Sequence, residues 1–301
     1  MKIGLPKALL YHYYAPLWKA FFDELKVHYI ESEDTTSKTV LLGKEKSIDE
    51  ACLALKIYLG HIEELKDKCD YILVPRIYSL KKTEQVCTNF NCLYDLVRNT
   101  FKDIKILNYN IDVKKQQSEK SAFLKIGKDL GFSVMETARA YNLAKEIETT
   151  YYLNEVKKAK KTLASTKTKI LLIGHPYILK DNLIGKSIIN YLEKNNIALI
   201  YSYQIKKDLI EYNANKISPR IHFTMNKRDL AAFNYFHDKV DGTIILTAFP
   251  CGPDSLSNEM ILRKRKKHPL LLLTFEDLTN NTAVITRLES FLDMLKGGIH
   301  L

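Results

Sequence analysis

The chain has 301 residues, 46% of them apolar and 27% charged, so it can bury a substantial core and disorder is not expected. No apolar run approaches the roughly 20 residues of a membrane-spanning helix. The N-terminus reads as a strand and not as a secretory leader, so we expect a cytoplasmic protein without a membrane partner. The formal charge of +11 comes from lysines spread along the whole chain, a pattern typical of a solvated surface and not of nucleic-acid binding.

Short apolar runs alternate with amphipathic stretches in the first part of the chain. The predicted strands are Lys2–Pro6, Val27–Glu31, Tyr71–Pro75 and Lys105–Tyr109. The predicted helices between them are Ala8–Leu25, with a bend at Pro16, Asp49–Leu65 and Leu93–Phe101. Alternation of this kind predicts a mostly parallel sheet covered by helices on both faces, in an N-terminal domain of residues 1–112.

Residues 113–167 contain no convincing strand and read as a connector of two helices, Ser118–Leu130 and Glu136–Leu163. The alternation resumes in residues 168–301. The strands predicted there are Lys169–Gly174, Ala198–Ser202, Thr243–Phe249 and Leu270–Phe275, with helices between and after them. We therefore predict an α/β protein with two Rossmann-like domains of mostly parallel sheets, joined by the helical connector.

Five cysteines, at positions 52, 69, 87, 92 and 251, form an odd set without the spacing of a disulfide framework. They are core thiols, metal ligands or nucleophiles. Cys69 opens a predicted strand, which favours a packing role. Cys92 comes five residues after Cys87, at the start of a predicted helix, and is either a packing residue or a fourth ligand.

The other three cysteines occupy positions typical of ligands. Cys52 lies in the first turn of a predicted helix, where free amides and the helix dipole stabilise a thiolate or an anionic cluster. Cys87 lies in the loop after the strand Tyr71–Pro75, and Cys251 immediately follows the strand Thr243–Phe249. Loops beyond the carboxyl ends of parallel strands are where α/β folds bind ligands. This placement indicates a metal site, while the other two roles for the thiols stay open.

Motifs of other enzyme classes are missing from the sequence. No glycine-rich dinucleotide loop or ATP-binding loop follows a strand. His175 ends the strand Lys169–Gly174, so it either lines a cleft or is a hydrogen-bonded structural residue. One further hypothesis is therefore a cysteine enzyme that uses Cys251 as nucleophile with His175 or His61 as its base.

The sequence resembles the 2-hydroxyacyl-CoA dehydratase and benzoyl-CoA reductase superfamily, and within it the uncharacterised branch related to acyl-CoA dehydratase activases. The resemblance begins with Asp49-Glu50-Ala51-Cys52 and the Lys56 and Gly60-His61 that follow. Further matching segments occur in the same order along nearly the whole chain, at residues 3–9, 16–18, 74–76, 249–255 and 286–289.

The resemblance implies that Cys52, Cys87 and Cys251 hold a [4Fe–4S] cluster or a larger double-cubane assembly. It also implies low-potential electrons from an ATP-hydrolysing activator that carries its own cluster, on a separate chain because no ATPase motif is present here. Arg76 would be a cation near the cluster. The candidate cleft residues are Arg76, His175, Asp254 and Ser255. A homodimer or a dehydratase-like partner subunit is expected by analogy only.

Two departures from the family pattern concern the reaction. Cys87 is followed by Thr88-Asn89-Phe90, where the family usually has Pro-Lys-Phe. The segment 275–282 has lost the histidine, the glycine and a glutamate found there in the family. The leading hypothesis is a cluster protein of ATP-coupled electron transfer or reduction in an anaerobe, and the alternative is a non-catalytic scaffold subunit of a dehydratase–activase system.

Overall fold

The structure is a computed structural model that describes residues 1–276 and 281–297. The chain divides into two compact units. Unit 1 consists of Met1–Leu153 with His222–Thr224, and unit 2 consists of Asn154–Ile221 with Met225–Leu301. The expected boundaries at 112 and 168 stay predictions.

Unit 1 contains a sheet of four parallel strands in the order β2-β1-β3-β4. The strands are β1 Lys2–Leu5, β2 His28–Glu31, β3 Tyr71–Ser79 and β4 Ile106–Asp112. The helices that begin in this unit are α1 Tyr11–Glu24, α2 Ser37–Glu45, α3 Leu53–Leu65, α4 Thr88–Thr100, α5 Glu119–Asp129 and α6 Val134–Leu163. The last of them continues past Leu153 into unit 2.

Unit 2 repeats this topology, because its four parallel strands have the order β6-β5-β7-β8. The strands are β5 Lys169–Ile173, β6 Ala198–Tyr201, β7 Gly242–Ala248 and β8 Leu270–Phe275. The helices are α7 Pro176–Leu179, α8 Gly185–Lys194, α9 Lys207–Ile217, α10 Thr224–Phe236, α11 Gly252–Lys264 and α12 Asn281–Gly297.

An aromatic cluster forms part of the core of unit 1. Trp18 of α1 lies 5.5 Å from Tyr109 of β4, measured between ring centroids, and Tyr109 lies 5.3 Å from Phe123 of α5. All three side chains are buried. These three side chains thus pack in the core, and burial of large apolar side chains is a dominant source of stability.

The α/β prediction is confirmed, and both sheets are parallel throughout their described pairs. Each predicted strand overlaps an observed strand. The helices α2, α7 and α9 were not predicted, and α4 was expected to begin near Leu93 instead of Thr88. Within the described ranges, no helix is both long and apolar enough to cross a membrane. Much of the altered segment 275–282, residues 277–280, lies outside the described residues.

Candidate functional site

Each of the three cysteines singled out by the sequence occupies the N-cap position of a helix. Cys52 precedes α3, Cys87 precedes α4 and Cys251 precedes α11. None of the three side chains accepts a hydrogen bond from the first amides of its own helix. Every one of these sulfur atoms therefore lies at the end of a helix where the dipole and the amide N–H groups favour negative charge.

In unit 1, Cys52 lies against the start of the helix that Cys87 caps. The side-chain amide Nδ2 of Asn89, in the first turn of α4, donates a hydrogen bond to Cys52 Sγ at 3.5 Å. This contact brings the N-terminal ends of α3 and α4 into one neighbourhood. N–H donors to sulfur are also among the interactions that tune thiolate-bound metal clusters.

Arg76 lies on β3 of the same unit and forms an ion pair with Asp95 of α4, with an Nη2 to Oδ2 distance of 3.1 Å. Both side chains are exposed, at 40% and 49%. Such surface pairs contribute little to stability, so the guanidinium is held weakly and can exchange its partner.

In unit 2, the carboxylate of Asp254 lies in the first turn of α11 and is buried. His175 Nε2 and Asn226 Nδ2 each lie 2.8 Å from its Oδ1 atom, and Thr247 Oγ1 donates to Oδ2 at 2.8 Å. These partners come from the end of β5, from α10 and from β7. The helix that begins after Cys251 is thus tied to three other parts of the unit.

The charges of this network follow from its contacts. Burial by itself lowers the pKa of His175, but the neighbouring Asp254 carboxylate outweighs burial, so the pKa of His175 is raised. Burial raises the pKa of Asp254, yet the attraction of His175 and the donated hydrogen bonds prevail and lower it to about 2. The contact therefore favours the charged forms of both side chains, an imidazolium and a carboxylate.

A second carboxylate, Asp229 of α10, lies on the other side of the imidazole. Its Oδ2 atom is 3.9 Å from His175 Nδ1. Burial raises the pKa of Asp229, against the opposing effect of Arg228. His175 Nε2 bonds to Asp254, and its Nδ1 faces Asp229. This geometry favours His175 as the charge partner of these carboxylates and not as the base for Cys251. His61, the other candidate base, is fully buried, its Nε2 lies 3.0 Å from Thr35 Oγ1, and burial lowers its pKa to about 4.

The network lies at the point of the sheet where ligands bind in α/β folds. Strand β5 pairs with β6 on one side and with β7 on the other, so the chain reverses its direction of travel across the sheet between β5 and β7. Clefts at the carboxyl ends of such strands are the usual ligand sites. His175 follows β5 and Cys251 follows β7, and Ser255 donates through both its backbone N and its Oγ to the carbonyl of Cys251, at 2.9 and 2.8 Å.

The two remaining cysteines have local contacts. Cys69 Sγ donates to the carbonyl of Leu65 at 3.3 Å, and burial raises the pKa of this thiol. These contacts agree with a packing role. Cys92 lies in α4 with its Sγ 4.0 Å from the carbonyl of Asn89.

Over residues 1–276 and 281–297, no cysteine forms a disulfide. In the same ranges, no group of three or more histidine, cysteine, aspartate or glutamate side chains is arranged to hold a metal ion. Thiolates are the donor type that iron–sulfur clusters use, and each of the three cysteines is the residue at an N-cap position. A metal centre and its ligand set stay predictions.

Sequence reasoning named His175 and Asp254 but missed the residues that hold them. Asn226 is 28 residues from Asp254 in sequence, and Thr247, seven residues before Asp254, was expected only as part of a strand. Asn89 was considered only as a departure from the family pattern. The spacing of Asn226 and Asp229, three residues apart on α10, was the available signal, since it places two polar side chains on one helical face.

Comparisons with solved structures found the SBP FpvC from Pseudomonas aeruginosa. Its complex with Ni2+ is 9% identical, the match covers 98% of this chain and 96% of that chain, and the TM-score is 0.32. Its complex with Mn2+ is 10% identical, with 98% and 97% covered and a TM-score of 0.33. No protein with curated information matches this chain.

One protein family matches the sequence directly. The model of the family described as the CoA enzyme activase uncharacterised domain (DUF2229) matches residues 2–205. The matched range includes Cys52, Cys87 and His175 and ends before Cys251. The wider dehydratase and reductase superfamily stays a prediction. Since the match spans more than half of the 301 residues, the chain belongs to the CoA enzyme activase uncharacterised domain family.

Proposed function

We propose that this protein binds an iron–sulfur cluster through the thiolates of Cys52, Cys87 and Cys251 and serves low-potential electron transfer in a dehydratase–activase system. The observation that carries the proposal is the position shared by the three cysteines, each of which is the N-cap of a helix. A cysteine at an N-cap is unusual, because serine, threonine, aspartate and asparagine are preferred there. Three such caps among five cysteines support a common role.

Unit 1 would contribute two of the thiolates. The hydrogen bond from Asn89 to Cys52 brings the first turns of α3 and α4 together, so both dipoles act on the same neighbourhood. An anionic group is favoured there by amides and dipoles that need no reorganisation. Asn89 would then have two roles, since its amide orients Cys52 and donates to its sulfur.

Unit 2 would contribute the third thiolate from a turn that is held rigidly. Asp254, three residues after Cys251, fixes the first turn of α11 through contacts with His175, Asn226 and Thr247. A ligand on such a support keeps its position without a large loss of conformational entropy on binding. The buried pair of His175 and Asp254 would thus position the turn that contains Cys251.

A cluster held by three thiolates leaves one iron without a protein ligand and can transfer single electrons. The name of the family links the domain to CoA enzyme activases, which supports an ATP-hydrolysing activator as the electron donor.

The test compares single Cys→Ser variants after anaerobic reconstitution with iron and sulfide. Cys52→Ser, Cys87→Ser and Cys251→Ser should each lose most of the bound iron and the broad visible absorbance of a cluster. Cys69→Ser is the matched control, because its thiol donates to Leu65 and packs near the N-terminal end of β3. This variant should retain the wild-type iron content.

Circular dichroism and thermal unfolding of each variant separate loss of the cluster from loss of the fold. Cys251→Ser with wild-type iron and absorbance would refute the ligand assignment. Equal losses in Cys69→Ser and in the three ligand variants would also argue against it, because the effect would then not depend on the N-cap position.

A further inference from the structure

A short segment late in the chain, His222–Thr224, belongs to unit 1, although the chain on both sides of it belongs to unit 2. We call this segment the strap. Phe223 at its centre forms an isolated parallel β-bridge with Gln85, which comes two residues before Cys87. The strap therefore contacts the loop that leads to one of the three N-cap cysteines.

Backbone hydrogen bonds hold Gln85 on the strap. Gln85 N donates to the carbonyl of His222 at 2.8 Å, and Thr224 N donates to the carbonyl of Gln85 at 3.0 Å. The hydroxyl of Thr224 donates to the same carbonyl in a longer contact of 3.4 Å. Both backbone polar groups of Gln85 thus find their partners on the strap, which satisfies groups that are costly to leave unpaired.

The rest of the loop connects this anchor to Cys87. Val86 is buried, and its backbone N donates to the carbonyl of Tyr78, near the end of β3, at 3.3 Å. On the other side of Cys87, Phe90 N donates to the Cys87 carbonyl at 2.9 Å in the first turn of α4. The backbone of Cys87 therefore lies between a loop fixed by the strap and a helix.

The contacts of the strap reduce the freedom of the loop before any ligand binds. Fixing the backbone of one residue costs about 1–2 kcal/mol of conformational entropy, so a loop stays ordered only when its contacts offset that cost. The strap supplies such contacts from a residue 139 positions later in the sequence than Gln85. Because the bonds join backbone atoms, no side-chain motif near Cys87 indicates them.

We propose that the strap positions Cys87 as a cluster ligand by fixing the loop that precedes it, with Thr224 as the positioning residue. This inference rests on the proposed function, in which Cys87 is one of the three thiolates. A ligand that is held in place by its supporting contacts loses less conformational freedom on binding. Weakening the strap should therefore make the bound iron easier to remove while the fold is retained.

The test uses Thr224→Pro in the full chain, reconstituted with iron and sulfide without oxygen. Thr224 is the first residue of α10, a position that tolerates proline because its N–H has no partner within the helix. The substitution removes both donors to the Gln85 carbonyl and lets α10 begin at the same residue. A chelator should remove iron from this variant about fivefold faster than from the wild type, as expected for the loss of roughly one hydrogen bond.

A second measurement examines Cys87 itself in the iron-free chain. Iodoacetamide should label Cys87 about threefold faster in Thr224→Pro than in the wild type, because a loop with fewer hydrogen bonds opens more often. The labelling rate of Cys69, whose thiol donates to the Leu65 carbonyl, should not change. Mass spectrometry of the peptides measures the two sites separately, and a general loss of structure would accelerate both.

Two variants serve as controls. Val134→Pro introduces proline at the first residue of α6, which is exposed, and should leave both rates unchanged. Thr224→Val keeps the N–H donor and removes only the hydroxyl, so each rate should change less than about twofold. Wild-type rates in a folded Thr224→Pro variant, or equal changes in Val134→Pro, would overturn the proposal. A wild-type chain that binds no iron would contradict the proposed function instead, and the labelling of Cys87 would still test the strap.

Discussion

Asp254 is the residue that connects the start of α11 to the rest of unit 2. Its two carboxylate oxygens contact His175, Asn226 and Thr247, all of which are buried. A buried charge is stable only when it is paired and hydrogen-bonded, so removing this charge leaves the imidazolium of His175 without its closest partner. The contribution of Asp254 to stability should therefore depend on pH.

The sign of that dependence follows from the pKa of Asp254, which is lowered from 3.8 to about 2 in the folded protein. The unfolded chain binds the proton more readily, so the stabilisation is complete above pH 3.8 and is lost as the pH falls through about 2. Asp254→Asn should lower the free energy of unfolding by about 3 kcal/mol at pH 6. The difference from the wild type should become smaller below pH 3, as measured by urea unfolding.

Asp129→Asn is the matched control, because Asp129 is an exposed carboxylate that pairs with Lys125. We expect this substitution to change the free energy of unfolding by less than about 1 kcal/mol at either pH. A loss for Asp254→Asn that is the same at pH 6 and below pH 3 would contradict the assignment of a buried ion pair.

For single residues, the sequence predicts which types occur at which positions, but not which side chains contact one another. The five cysteines and the strand-terminal His175 are visible as residue types at recognisable positions. The partners of Asp254 are not, since His175, Asn226 and Thr247 lie on three different elements and no local pattern connects them. Cys87 was expected in the loop after the strand Tyr71–Pro75, and it is the N-cap of α4, which begins at Thr88 and not near Leu93.

At the scale of elements, α2 and α3 form a close pair that positions Cys52. A Cβ atom on Gly60 would lie 1.9 Å from the carbonyl oxygen of Thr39, and one on Gly43 would lie 1.7 Å from the carbonyl oxygen of Lys56. The two helix backbones can approach this closely only because both positions are glycine. The start of α3, and with it Cys52, depends on this packing.

Gly60→Ala should therefore destabilise the protein although alanine is the better helix former. The helices must move apart to accommodate the methyl group, and such overpacking costs about 1–3 kcal/mol. The gain in helix propensity, up to about 1 kcal/mol, offsets only part of that cost. Chemical denaturation of the variant measures the net loss.

Gly252→Ala provides the comparison, because a Cβ atom on Gly252 meets no atom within 4 Å. We expect its free energy of unfolding to change by about 0.5 kcal/mol or less. A Gly60→Ala variant as stable as the wild type would show that α2 and α3 separate without cost.

The close packing also explains why α2 was not predicted. Its sequence, Ser37–Glu45, includes Gly43 and two β-branched residues, Thr39 and Val40, which are weak helix formers. The capping box between Thr36 and Thr39 and the contact with α3 stabilise it. Tertiary contacts of this kind override local propensity and cannot be read from a single sequence.

At the scale of the whole molecule, the two units share the strand order second, first, third, fourth. The positions of the strands were predictable, because each is a short apolar run between helical segments. The order of the strands was not, since it depends on which edges pair after folding. The sequence also lacks a simple repeat, so the shared topology became visible only from the pairing of the strands.

At this scale, the family match covers residues 2–205 and does not include the segment with Cys251.

The most direct test of the central claim is the iron and acid-labile sulfide content of the full chain, purified and reconstituted without oxygen. The account predicts about four iron and four sulfide ions per chain for a single cubane, and a clearly higher content for a double cubane. A folded protein that binds no iron under these conditions would contradict it.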